Sequence, residues 1–224
     1  MEMRAMGKVL AAGTVALGFA LVGCGSGSDT ASTTSEQTSE KTSESASVTP
    51  AASTQTVAEY LKENGVNMTP VKRGDPGAPE LNLPIPPGWS DLGKDAPEDA
   101  WGALTLTEPA SDNPPAIIAQ LAKLSGEADH AKILELAPNA VKNQPGFTGP
   151  DTGQPSKLGG FDAVEIAGTL ELDDQTVFVS RKTVVIPGSD ALYVLALDAQ
   201  GPADQQEALI LAMETIDANT TITP

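Results

Sequence analysis

Apolar residues along this chain follow three patterns: an almost wholly apolar run near the start and, after it, spacings of three and four that take turns with alternation. The run is Val9 to Val22, about 14 residues, which is shorter than the roughly 20 needed to cross a bilayer as a helix. From Gly25 to Ser53 the chain is Ser, Thr, Glu, Gly and Ala with hardly an aliphatic residue, so it lacks the apolar surface that would offset the entropy of ordering. Helical spacing begins at Val57, Tyr60 and Leu61. Thr56 is placed to cap this helix, Glu59 stands where a capping box needs an acid, and Gly65 stops it.

Residues 65–100 are dense in Pro and Gly, which predicts turns and short edge strands. Within them Leu81, Leu83 and Ile85 alternate with Asn82 and Pro84, a strand expected to end at Pro86-Pro87-Gly88-Trp89. Trp101 to Glu108 and Ala116 to Leu124 read as two more strands around a Pro109–Pro115 loop, although alternation in the second is weak enough to leave a helix open. The period changes over Glu127 to Lys142. There Ala131, Leu134, Ala137 and Val141 share a helical face widened by Ile133 and Leu136, and Pro138 predicts a break. Gln144 to Ser156 is turn-forming. Lys157 to Ala199 predicts an antiparallel meander of three strands, with turns at Asp173-Asp174 and Pro187–Asp190. Ala203 to Ala218 predicts a closing helix that buries Leu209, Ala212, Met213 and Ile216.

Composition then decides where such a chain works. Arg4 and Lys8 precede the apolar run and the small residue Gly23 follows it, which together make an export signal. Leu21-Val22-Gly23-Cys24 resembles the lipobox of bacterial lipoproteins, in which the cysteine is lipidated and becomes the first mature residue. With two or more acyl chains, each contributing about 0.8 kcal/mol per buried methylene, such an anchor is stable. Three regions follow: a signal peptide at 1–23, the lipidated Cys24 with a Ser/Thr-rich tether at 24–53, and one globular domain at 54–224. At about 5 to 6 Å times the square root of its length, the tether ends average about 30 Å apart.

The full chain has 13 Lys and Arg against 30 Asp and Glu, a net charge of −17. Without residues 1–23, which hold Arg4, Lys8 and Glu2, 11 basic side chains face 29 acidic ones, a charge of about −18. So negative a surface repels nucleic acid phosphates and anionic headgroups, so the expectation is no nucleic acid partner and membrane attachment through the acyl anchor alone. Cys24 is the only cysteine, so no disulfide, thiolate nucleophile or cysteine metal site is expected elsewhere, and no metal or cofactor is expected at all. The single histidine, His130, opens a predicted helix, and no G-x-S-x-G elbow accompanies it. Glu171, Asp173 and Asp174 are acids at a strand end and turn, where charge is ordinary, so a carboxylate-pair hydrolase is the weakest reading.

An ordered set of strings identifies a relationship. It comprises T-V-A-E-Y-L-K-E-N from Thr56, G-D-P-G-A-P from Gly74, L-N-L-P-I-P-P-G-W from Leu81, L-G-G-F from Leu158, K-T-V-V-I-P from Lys182 and T-T-I-T-P from Thr220. The whole resembles the LpqN/LpqT family of mycobacterial lipoproteins. That resemblance implies an α/β (α+β) fold of the PsbP/Mog1-like sandwich type, an antiparallel β-sheet flanked by helices. It also implies a noncatalytic role at the extracytoplasmic membrane face, in envelope lipid trafficking, with a trehalose-containing lipid and an MmpL-type transporter or another envelope protein as partners. The alternative is a protein-interaction scaffold, or a released lipoprotein that meets host cells. Among the aromatic residues Trp89 and Trp101 sit beside loops and are the ligand-stacking candidates, while Phe178 and Tyr193 lie in strands and belong to the core. Asp91, Asp95 and Asp99 beside the tryptophans are candidates for sugar hydroxyls.

Overall fold

The computed structural model describes residues 54–172 and 175–224. The lipobox cysteine Cys24, the signal peptide, the tether and the Asp173-Asp174 turn lie outside the described residues. Helix α1 (Val57–Glu63) starts where its capping signals place it: Thr56 Oγ1 accepts from the Glu59 N–H, and the Glu59 carboxylate accepts from the Thr56 N–H at 2.7 Å. Two orphan donors of the first turn are thereby satisfied. The main-chain N–H of Thr56 is the chief reason the Glu59 carboxyl lies below its ordinary value.

An antiparallel sheet of nine strands forms the centre. Its path runs β3 (Trp89–Asp91), β4 (Gly102–Leu106), β5 (Ala116–Ser125), β10 (Leu192–Pro202), β9 (Gln175–Pro187), β8 (Phe161–Leu172) and β6 (Phe147–Thr148). Strand β1 (Asn67–Val71) extends the β5 edge and β7 (Gln154–Leu158) the β8 edge. The expected meander is β8, β9 and β10, with Ala163 opposite Val184 and Val184 opposite Leu195. Strand β5 settles as a strand of ten residues, with Ile117, Ala119 and Leu121 buried at a period of two.

Helices cover both faces. Val184 and Val185 are neighbours in β9 and therefore point to opposite sides. Val184 joins Leu195, Leu197 and the buried stripe of α4 (Gln206–Asn219), which is Leu209, Ala212, Met213 and Ile216. Val185 joins Leu61 of α1 and Ile133 of α2 (His130–Leu136). Val141 of α3 (Asn139–Lys142) packs on Ile166 and Val179 nearby. Pro138 separates α2 from α3, as its missing N–H requires.

Four expectations change. The strand drawn through Leu81, Leu83 and Ile85 is only β2 (Glu80–Asn82), paired with β11 (Thr221–Thr223), because Pro84 and Pro86 have no N–H to give a ladder. Strand β1 escapes the pattern because only Val71 in it is buried and Pro70 sits on a sheet edge. Strand β7 lies at the end of a segment rich in turn residues and is held by pairing with β8. The second helix begins at His130, capped by the Asp129 carboxylate on the Lys132 N–H, and its buried face is Ile133 and Leu136; Ala131 is exposed and Leu134 half-buried.

Candidate functional site

The predicted site residues part company. A cavity of about 220 Å³ lies between the Leu81–Ile85 segment and the sheet. Ile117, Ala119 and Leu197 form its apolar floor, Ile216 of α4 lines one wall, and Trp101 another. The proline-rich segment builds this cavity because it cannot lie down as a ladder strand: beyond β2 it crosses the sheet, leaving Ile85 53% exposed at the cavity.

Arg73 and Asp91 complete the lining. The Arg73 guanidinium carbon stands 4.6 Å from the centroid of the Trp101 ring, a cation–π distance, while Nη1 donates to Asp91 Oδ2 at 2.8 Å. Asp91 Oδ1 accepts from the Gly93 N–H at 2.8 Å. That main-chain donor first, and the guanidinium second, hold the Asp91 carboxyl below its ordinary value. Gly102 makes room for the arrangement, since a Cβ there would stand 2.5 Å from Arg73 Nη2. Chemically, the cavity offers an apolar floor, an aromatic wall and, beside them, a guanidinium–carboxylate pair able to donate to and accept from hydroxyl groups.

Trp101 and Asp91 thus come together, and Trp89, Asp95 and Asp99 do not join them. Both tryptophans are buried in the main core, at 7% and 8% exposed, but Trp89, which β3 pairs with Leu106, does not line the cavity, whereas Trp101 does. Asp95 lies in a short 3₁₀ turn, Gly93–Asp95, and like Asp99 it is exposed and does not line this cavity. Phe178 and Tyr193 are core residues, the Tyr193 hydroxyl donating to the Gly77 carbonyl at 2.9 Å. His130 is the first residue of α2, and its buried Nε2 has no hydrogen-bond partner. Glu171 accepts from Thr176 Oγ1 at 2.9 Å.

Two features had no separate signal in the pattern of residues. Arg73 sits in a turn-rich stretch and acquires meaning only from the ring beneath it. Lys182 reads as one polar position in an apolar strand, yet it is fully buried, pairing with Glu165 Oε2 at 3.0 Å and with Asp217 Oδ2. Burial pushes the Asp217 carboxyl up against the lowering pull of Lys182. Among the described residues no group of three or more His, Cys, Asp or Glu is arranged to hold a metal ion, and no helix is long and apolar enough to cross a membrane.

Residues 53–223 match the family model described as "Probable lipoprotein LpqN". Lipoprotein LpqN of Mycobacterium tuberculosis (strain ATCC 25618 / H37Rv) is 41% identical over 175 residues, covering 78% of this chain and 76% of the relative. A crystal structure described as LpqN involved in cell envelope biogenesis of Mycobacterium tuberculosis superposes with a TM-score of 0.72 at 41% identity, covering 76% of this chain and 98% of that one. The Saccharomyces cerevisiae Ran-binding protein Mog1p is 12% identical, with a TM-score of 0.41 over 69% of this chain and 95% of its own.

Proposed function

The chain belongs to the family of the probable lipoprotein LpqN, and from that membership we propose that it is a lipid-anchored, noncatalytic binding protein of the extracytoplasmic membrane face that assists cell-envelope biogenesis. Its cargo in this reading is a lipid of the trehalose mycolate type, passed to or from an MmpL-type exporter. The observation that carries the reading is the 41% identity to a protein whose crystal structure is described as involved in cell envelope biogenesis. The cavity at Trp101 supports it. An apolar floor suits an alkyl chain, a tryptophan face suits a sugar ring, and the Arg73–Asp91 pair suits several hydroxyls at once. Because the cavity is small, it accepts part of such a lipid, with the remainder lying across exposed Ile85.

Tryptophan emission tests this directly. Titration with a trehalose monoester is expected to change the emission, an alkyl maltoside of equal chain length to change it much less, and Trp101→Phe to abolish the response. Equal responses to both ligands, or a response that survives Trp101→Phe, would overturn the assignment.

A further inference from the structure

A second and larger cavity, of about 490 Å³, opens between α2, α3 and the β7–β8 edge of the sheet, sharing no lining residue with the Trp101 cavity. Its size falls in the range of about 300–1,000 Å³ in which proteins bury small ligands. The sequence explains why it exists. Pro138 breaks the helix, so α3 does not continue the packing of α2, and Gly153 lets the following loop close in: a Cβ there would meet Val164 Cγ2 at 2.5 Å and Pro138 Cγ at 2.6 Å. Ala131 and Leu134, whose spacing promises a core face, instead line this cavity with Pro138, Pro155 and Val164. The apolar stripe of α2 thus has two parts, one buried on the sheet and one offered to an occupant.

The charges beside it are unequal in their engagements. Among the described residues six of the ten basic side chains hold a carboxylate, while Lys62, Lys72, Lys94 and Lys142 have no ion pair, and of these four only Lys142 lines the cavity. Lys132, one of the six, neutralises Glu135, a lining residue, at 2.8 Å. Lys142, also lining and half-buried, donates instead to the main-chain carbonyl of Asp151 at 3.0 Å, and among the described residues it pairs with no carboxylate. The Asp151 carboxylate itself is exposed, where water screens it. Although the net charge of −17 opposes anions at long range, the Lys142 ammonium at the rim of an apolar cavity is locally complementary to an anionic head on an apolar body.

We propose that this cavity binds a single-chain fatty acid, its alkyl chain along Ala131, Leu134 and Val164 and its carboxylate on Lys142 Nζ. The site is independent of the glycolipid reading of the Trp101 cavity. The probe is cis-parinaric acid, whose emission rises in apolar surroundings, titrated into the mature chain carrying Cys24→Ser to keep it free of acyl groups. Saturable binding that palmitate displaces is expected. Ala131→Phe, at an exposed position where the fold tolerates bulk, should block the chain, and Lys142→Glu should weaken binding by about ten-fold or more through loss of a charge-assisted hydrogen bond. Ile85→Ser, in the other cavity, should leave it unchanged. Binding unaffected by Ala131→Phe, or lost in Ile85→Ser, would overturn the site. Binding that Lys142→Glu does not weaken, or that the methyl ester of palmitate displaces as well as the acid, would overturn the carboxylate assignment. Far-ultraviolet circular dichroism of each variant keeps loss of fold apart from loss of ligand.

Discussion

Trp101 and Asp91 stand 28 and 18 residues after Arg73 along the chain, and none of the three announces the other two; the ring, the guanidinium and the carboxylate come together only in the fold, at 4.6 Å and 2.8 Å. Placing Trp101 and Asp91 beside a loop was within reach of the residue pattern. That Trp89, Asp95 and Asp99 do not line the cavity of Trp101 was not, because it depends on how β3 and the turns after it lie against the sheet. The pair has a pH signature. Since the folded Asp91 carboxyl is more acidic than an unfolded one, its contribution is present above the ordinary value of 3.8 and is lost as pH falls through the lower folded value. Trp101 emission is expected to stay level above pH 3.8 and to change below it as Arg73 is released. The same step, of equal size and position, in Asp91→Asn would show that another group causes it.

Helix α4 is the element whose features the sequence describes most fully and explains least. Its buried stripe follows from spacing, and Leu209, Ala212, Met213 and Ile216 are buried as that spacing demands. Its attachment at the C-terminal end is different in kind, because Lys182 of β9, Glu165 of β8 and Asp217 of α4 meet only when three distant segments pack. A fully buried ammonium without a counterion is costly, so Glu165→Gln combined with Asp217→Asn is expected to lower stability by about 3–5 kcal/mol. Lys182→Met should cost less, since the carboxylates it leaves behind are part-exposed, at 31% and 34%, and Asp217, which burial already pushes up, can relieve its charge by taking a proton. Denaturant unfolding of both variants decides the order, and a larger loss in Lys182→Met would contradict it. Strands β1, β2 and β7 show the converse limit of local pattern. Each is short, largely exposed and held by a neighbour's ladder, so its own residues carry little of the signal.

At the scale of the whole molecule, the membrane anchor and the proposed binding cavities have separate origins. Membership of a lipoprotein family agrees with the lipobox, and the prediction that belongs here is that Cys24→Ala moves the protein from the membrane fraction to the soluble one. Unchanged partitioning would mean that something other than the acyl anchor holds it. The N-terminal apolar run, the lipobox pattern, the acidity, the order of strands in the meander and the terminal helix are properties of neighbouring residues: hydrophobic runs, charge and period act locally, so the linear sequence by itself determined them. The two cavities, the Arg73–Trp101 contact, the unshared Lys142 and the buried Lys182 were decided by tertiary structure alone. The cavities depend on prolines that stop a ladder or a helix in one segment, and the side-chain contacts on which distant segments meet, and no period in the chain encodes a distance between such segments.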